Sequence, residues 1–134
     1  MQNALLHTGR CLLALYFFLP GVMKFMDWDR HVALMESHGM TMVPILLALA
    51  GVLQIAASLC IFANRQVLVS ALGLAAMVVL INVNLHDFWN VYEGIDAKHE
   101  MQNFVKNLAI FAGLLLLAAI NMGQPSKIVS GEEA

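Results

Sequence analysis

The stretch VPILLALAGVLQIAASLCIFA, Val43 to Ala63, carries no charged residue and is interrupted by polar side chains only at Gln54 and Ser58. A helix crossing about 30 Å of hydrocarbon needs about 20 apolar residues, so this run reads as a membrane span. Working outward, Asn64-Arg65-Gln66 leaves room only for a tight turn, and a second run begins at Val67, with polar residues gathering at Asn82 and Asn84. So short a connection makes the two spans antiparallel neighbours. A further run covers Asn103 to Met122, polar in its first turn and apolar from Leu108. The run from Leu5 forms a span if Arg10 and Lys24 sit near the two interfaces, which their long stems allow. The expected spans are residues 5–26, 43–63, 67–88 and 103–122. Residues 1–134 then form a single transmembrane domain, all-α, an integral membrane antiparallel four-helix bundle.

Composition agrees. Of 134 residues, 60% are hydrophobic and 12% charged, against about 45–50% and about 25% in soluble domains. The formal net charge is −2. No basic patch exists for nucleic acid, and the expected partner is the lipid bilayer. Four spans put both termini on one side, with Arg10, Arg65 and Lys127. The far loops carry Asp27, Asp29, Glu36, Asp87, Glu93, Asp96 and Glu100, with Arg30 and Lys98. Lys24 and Lys106 lie at span edges and read as site residues, so the termini are expected in the cytoplasm. The first span reads as retained, because no small-x-small cleavage site follows it before Lys24. Cys11 and Cys60 then fall toward the reducing side and read as small packing residues.

Lipid is as apolar as Leu, so small residues and interhelical hydrogen bonds must hold the helices together. Ala71 with Ala75, Ala109 with Gly113, and Gly51 are the candidates. Thr41 is placed to cap the second span, and Pro44 sits near its first turn. Pro20 falls inside the first span and frees a carbonyl near Tyr16. Gly123 and Pro125 stop the last.

Four of the five histidines, His31, His38, His86 and His99, belong to the loops opposite the termini, where Trp28 and Trp89 mark an interface. Polar groups at membrane depth are costly and tend to face the bundle interior. Lys24 ends the first span, and Gln54 lies near the midplane of the second. Asn82 and His86 share a face of the third. Asn103, Lys106 and Asn107 occur at i, i+3 and i+4 at the start of the fourth. The expected ligand-binding set is Lys24, Gln54, His86, Asn103, Lys106 and Asn107, converging on a polar pocket open to the side opposite the termini. Each residue also has a bland role, as an interface anchor or as interhelical glue. The histidines could in principle hold a metal, yet no two have a tight ligand spacing, and no metal is expected. Nucleotide-binding, nucleophile-elbow and haem-attachment motifs are absent.

At these residues a family resemblance emerges. Gly9-Arg10, Leu12-Leu13, Phe17, Gly21 and Lys24-Phe25 resemble the first-helix signature of the DoxX family. Leu85-His86-Asp87-Phe88-Trp89 resembles the end of its third helix. Asn103 to Leu108 and Gly113 to Ala118 resemble its fourth, so the likeness runs over about residues 5 to 122. The resemblance implies a small multi-pass protein of the bacterial inner (plasma) membrane. The family's namesakes are membrane subunits of a thiosulfate:quinone oxidoreductase, and other members resemble partners of enzymes that handle sulfur and superoxide. One departure is clear: the family often has a Glu in the second helix where this chain has Gln54, so a proton relay through that Glu is not available here.

The leading expectation is a redox-associated membrane protein with a polar pocket for a quinone-like or other small ligand. Lys24 and Asn107 would hydrogen-bond its oxygens, and His86 would exchange a proton near neutral pH. No intrinsic redox centre is evident, so electrons would come from a redox-enzyme partner subunit or a bound cofactor. The alternatives are a non-catalytic anchor or accessory subunit of a redox complex, and a small-solute transporter, which with four helices would need a homo-oligomer. Whether the chain is itself an enzyme is left open by its residues.

Overall fold

A computed structural model of the chain describes residues 1–123. Five helices follow in order: α1 (Gln2–Met26), α2 (Trp28–Ser37), α3 (Val43–Phe62), α4 (Val67–Leu85) and α5 (Ala97–Asn121), with no strand among the described residues. Helices α1, α3, α4 and α5 are each long and apolar enough to cross a membrane. The 20 residues of α3 rise about 30 Å, the thickness of the hydrocarbon layer. The fold is an all-α membrane helical bundle.

Packing runs α1 on α3, α3 on α4 and α4 on α5, with a slighter contact closing α5 back onto α1. The main core takes Ala14 and Phe17 from α1, Ala57 and Ile61 from α3, Ala71, Leu74, Ala75 and Val78 from α4, and Leu114 and Ala118 from α5. The outward faces stay apolar, as at Leu12, Leu49, Val69 and Leu116, which is what lipid requires.

Helices α1 and α3 approach closely at two glycines. A Cβ added to Gly21 would lie 2.9 Å from Gln54 Cβ and 3.3 Å from the Ile55 backbone nitrogen, and one added to Gly51 would lie 2.5 Å from the Phe25 ring. Ala71 and Ala75 are both buried, so the small pair of α4 packs inward. The pair expected on α5 divides. Gly113 faces Leu13 of α1 at ordinary contact distance, 3.8 Å from an added Cβ, while Ala109 is exposed.

Several local expectations change. Thr41 does not cap α3; its N-cap is Met42, a left-handed residue at φ 54° with no side-chain cap, and Pro44 lies in the first turn. The α3–α4 turn uses two left-handed non-glycine residues, Asn64 and Gln66. Helix α4 stops at Leu85, and His86 caps it. Helix α5 starts at Ala97 behind Asp96, whose side chain accepts from the Lys98 backbone N–H at 2.9 Å. Gly123 takes φ 77° just past its end; Pro125 and Lys127 lie outside the described residues.

The amphipathic α2 was not anticipated. Its Trp28, Val32 and Met35, at i, i+4 and i+7, close a second core with Val43, Leu47 and Leu85 on the side away from the termini. It lies against α3 and α1 and roofs that end of the bundle.

Candidate functional site

Polar side chains collect under and beside this roof, where α4 runs out and α5 begins. Asn82, buried on the inner face of α4, donates to the Phe104 carbonyl at 3.1 Å, and its Oδ1 accepts from Asn107 Nδ2 at 2.8 Å. One turn further, the His86 ring donates from Nδ1 to Glu100 Oε2 at 2.5 Å. The two side chains are 22% and 15% exposed, so water and small solutes still reach the pair. With Nδ1 given to the carboxylate, Nε2 is the nitrogen left for another partner. Glu100, Phe104 and Asn107 stand at i, i+4 and i+7, so one stripe of α5 meets α4 at both levels.

A third cluster ties the α4–α5 loop to the roof. The buried Asp87 carboxylate accepts from Asn90 at 2.7 Å and from the Tyr92 hydroxyl at 2.5 Å. The Tyr92 ring lies 4.6 Å from that of His38. Burial pushes the Asp87 carboxyl up, but the hydrogen bonds from Tyr92, Asn90 and its own backbone N–H, with the nearby His38, outweigh it and hold Asp87 below the usual carboxylate range. The same bond to Asp87, followed by desolvation, raises the Tyr92 hydroxyl. Phe88, Trp89 and Phe104 stack edge to face beside this cluster.

Asn107 and His86 stand in successive layers of the α4–α5 seam. Asn103 is partly buried nearby. Lys106 is exposed, because its position turns it away from the Glu100–Asn107 stripe. Gln54 is buried deeper, on α3 opposite Gly21, and its Oε1 has no hydrogen-bond partner among the described residues. Lys24 continues the inward stripe of Ala14, Phe17 and Gly21 and is partly buried, facing the α3 side of the bundle. Lys24 bonds neither the asparagine pair nor the His86–Glu100 pair. A cleft of about 350 Å³ opens between α1 and α2, walled by Leu19, Pro20, Met23 and Leu34 and rimmed by Asp27, Arg30 and His31; Lys24, His86 and Asn107 do not line it. Among the described residues, no group of three or more His, Cys, Asp or Glu side chains is placed to hold a metal ion.

Glu100 and Asp87 are the members that sequence reading passed over, grouped there with the loop acids. The i, i+7 spacing of Glu100 and Asn107 was the available signal, and it required α5 to begin before the hydrocarbon.

Fold and polar layer together define a small multi-pass membrane protein whose ionisable groups concentrate at one end. The DoxX family model matches residues 5–87, more than half of the chain, and the chain belongs to that family. The match ends at Asp87, so the likeness read over Asn103 to Ala118 lies outside it. No curated protein and no solved structure matches the chain.

Proposed function

We propose that this DoxX protein is redox-associated and binds a quinone-like or similar small carbonyl ligand at the α4–α5 end of the bundle, in a bacterial inner membrane with its termini in the cytoplasm. The observation that carries the reading is the His86–Glu100 pair. A carboxylate behind an imidazole fixes the ring's orientation and leaves its far nitrogen free for a ligand. Quinone reduction and oxidation take up and release protons, and a part-exposed pair at the membrane edge suits that exchange. Asn103 and Asn107, on the same seam, complete the proposed binding set, with electrons supplied by a redox-enzyme partner; Lys24 and Gln54 lie on the α1–α3 side and Lys106 turns outward, so they stand apart from it.

A second reading is favoured by one observation: the Asn82 carboxamide is bonded at both ends within the seam, to the Phe104 carbonyl and to Asn107 Nδ2, as purely structural glue would be. The chain would then be a non-catalytic subunit that docks a redox enzyme. Extraction of lipophilic molecules from purified protein separates the two. Wild type should yield a quinone-like compound, and His86→Ala and Glu100→Gln should lose it while circular dichroism stays helical. Wild type yielding none, while a redox enzyme co-purifies, would put the docking reading first.

A further inference from the structure

At the opposite end, between α1, the α3–α4 turn and the end of α5, lies a cleft of about 150 Å³ lined by Asn3, His7, Arg10, Asn64 and Asn121 above an apolar floor. Its lining holds one guanidinium, one imidazole and three carboxamides, and no carboxylate among the described residues. Arg10 Nη2 donates to His7 Nδ1 at 3.0 Å. Arginine has no acceptor, so this bond fixes His7 as the tautomer whose Nε2 carries the proton and donates. Arg10 Nε is buried and has no hydrogen-bond partner among the described residues. Nε is thus closed off from the cleft, and the terminal nitrogens are the donors the guanidinium offers there. The cleft carries no negative charge among the described residues, and the guanidinium fork matches an oxyanion. At about 30 Å³ per water it has room for several waters or one small tetrahedral anion.

We infer that this cleft binds a phosphate-type oxyanion, held by Arg10 with Asn64 and His7 beside it, at the membrane edge on the terminus side. The phosphate comes either from an anionic lipid headgroup, with acyl chains beside the apolar faces of α1 and α5, or from solution. The site is independent of the His86–Glu100 end, so neither stands or falls with the other.

The test uses the full chain in two arms. In a non-ionic detergent, thermal stability is followed against inorganic phosphate at constant ionic strength. In lipid nanodiscs of phosphatidylcholine with and without phosphatidylglycerol, native mass spectrometry counts retained anionic lipid. The variants are Arg10→Gln, Asn64→Gly, which removes a carboxamide yet keeps the left-handed turn, and the exposed Arg65→Gln as control. Losing a charge-assisted contact should weaken binding about tenfold or more. Phosphatidylglycerol retained by wild type and Arg65→Gln but lost from Arg10→Gln and reduced in Asn64→Gly supports the site with lipid as source. Phosphate stabilisation with that same pattern, and no difference in lipid retention, supports it with a free anion as source. Arg10→Gln and Asn64→Gly behaving as wild type in both arms, or Arg65→Gln losing as much as they do, overturns it and leaves a water-filled cleft. Should Arg10→Gln fail to fold, Asn64→Gly decides alone.

Discussion

Gly21 and Gly51 both let α1 approach α3, yet their surroundings differ in how far they can yield. Overpacking costs about 1–3 kcal/mol, and replacing a helical glycine by alanine returns about 0.8–1.0 kcal/mol. At Gly21 the added methyl meets Gln54 Cβ and the Ile55 backbone, neither of which moves without the helix. Gly21→Ala should therefore lower the melting temperature in detergent by several degrees. At Gly51 it meets the Phe25 ring, which is 43% exposed and can swing into lipid. Gly51→Ala should cost less than Gly21→Ala, and combined with Phe25→Ala it should cost no more than Phe25→Ala alone. Equal losses at the two glycines would show that the ring cannot leave. The value of Gly51 as a packing residue was legible, because small residues in an apolar span have few other uses. Gly21 was read only as part of a family signature, since its partner lies on α3 and sequence carries no register between helices.

Among the elements, α2 and the α4–α5 loop were the least legible. Helix α2 is too short and too charged for a span, and its three inward residues are too few to stand out beside runs of twenty. The starts of α1 and α5 were placed late for a related reason: hydropathy marks where lipid ends, while a helix continues into water when something caps it, as Asp96 does for α5. The loop is fastened to the roof through Asp87, Tyr92 and His38, which gives it a pH dependence. A carboxyl with its folded pKa depressed contributes stability that is present above its unfolded pKa and lost as pH falls through the lower, folded value. Limited proteolysis within residues 88–96 should thus be slow at neutral pH and speed up only below the usual carboxylate range. Tyr92→Phe, which removes a donor to Asp87, should move that onset to higher pH. An unchanged onset would mean that the loop is held by its aromatic stack instead.

For the molecule as a whole, four long apolar helices were legible because each face must satisfy lipid, whereas which polar groups meet was not, because Lys24 and the α4–α5 seam lie on different helix pairs. Orientation rests on charge alone. A reporter fused after Ala134 should be active only in its cytoplasmic form, and activity of a periplasm-dependent reporter there would reverse the topology. The pairing of α1 with α3 across the intervening α2 has a consequence for biogenesis. While the ribosome has delivered only α1, the groove at Gly21 stands empty and the Lys24 stripe has no protein cover; Gln54, the residue that fills the groove, follows more than thirty positions later. Until then a helix carrying two cations must wait at the translocon or beside an insertase, so the nascent chain depends on assisted holding for as long as it takes to synthesise α2 and most of α3.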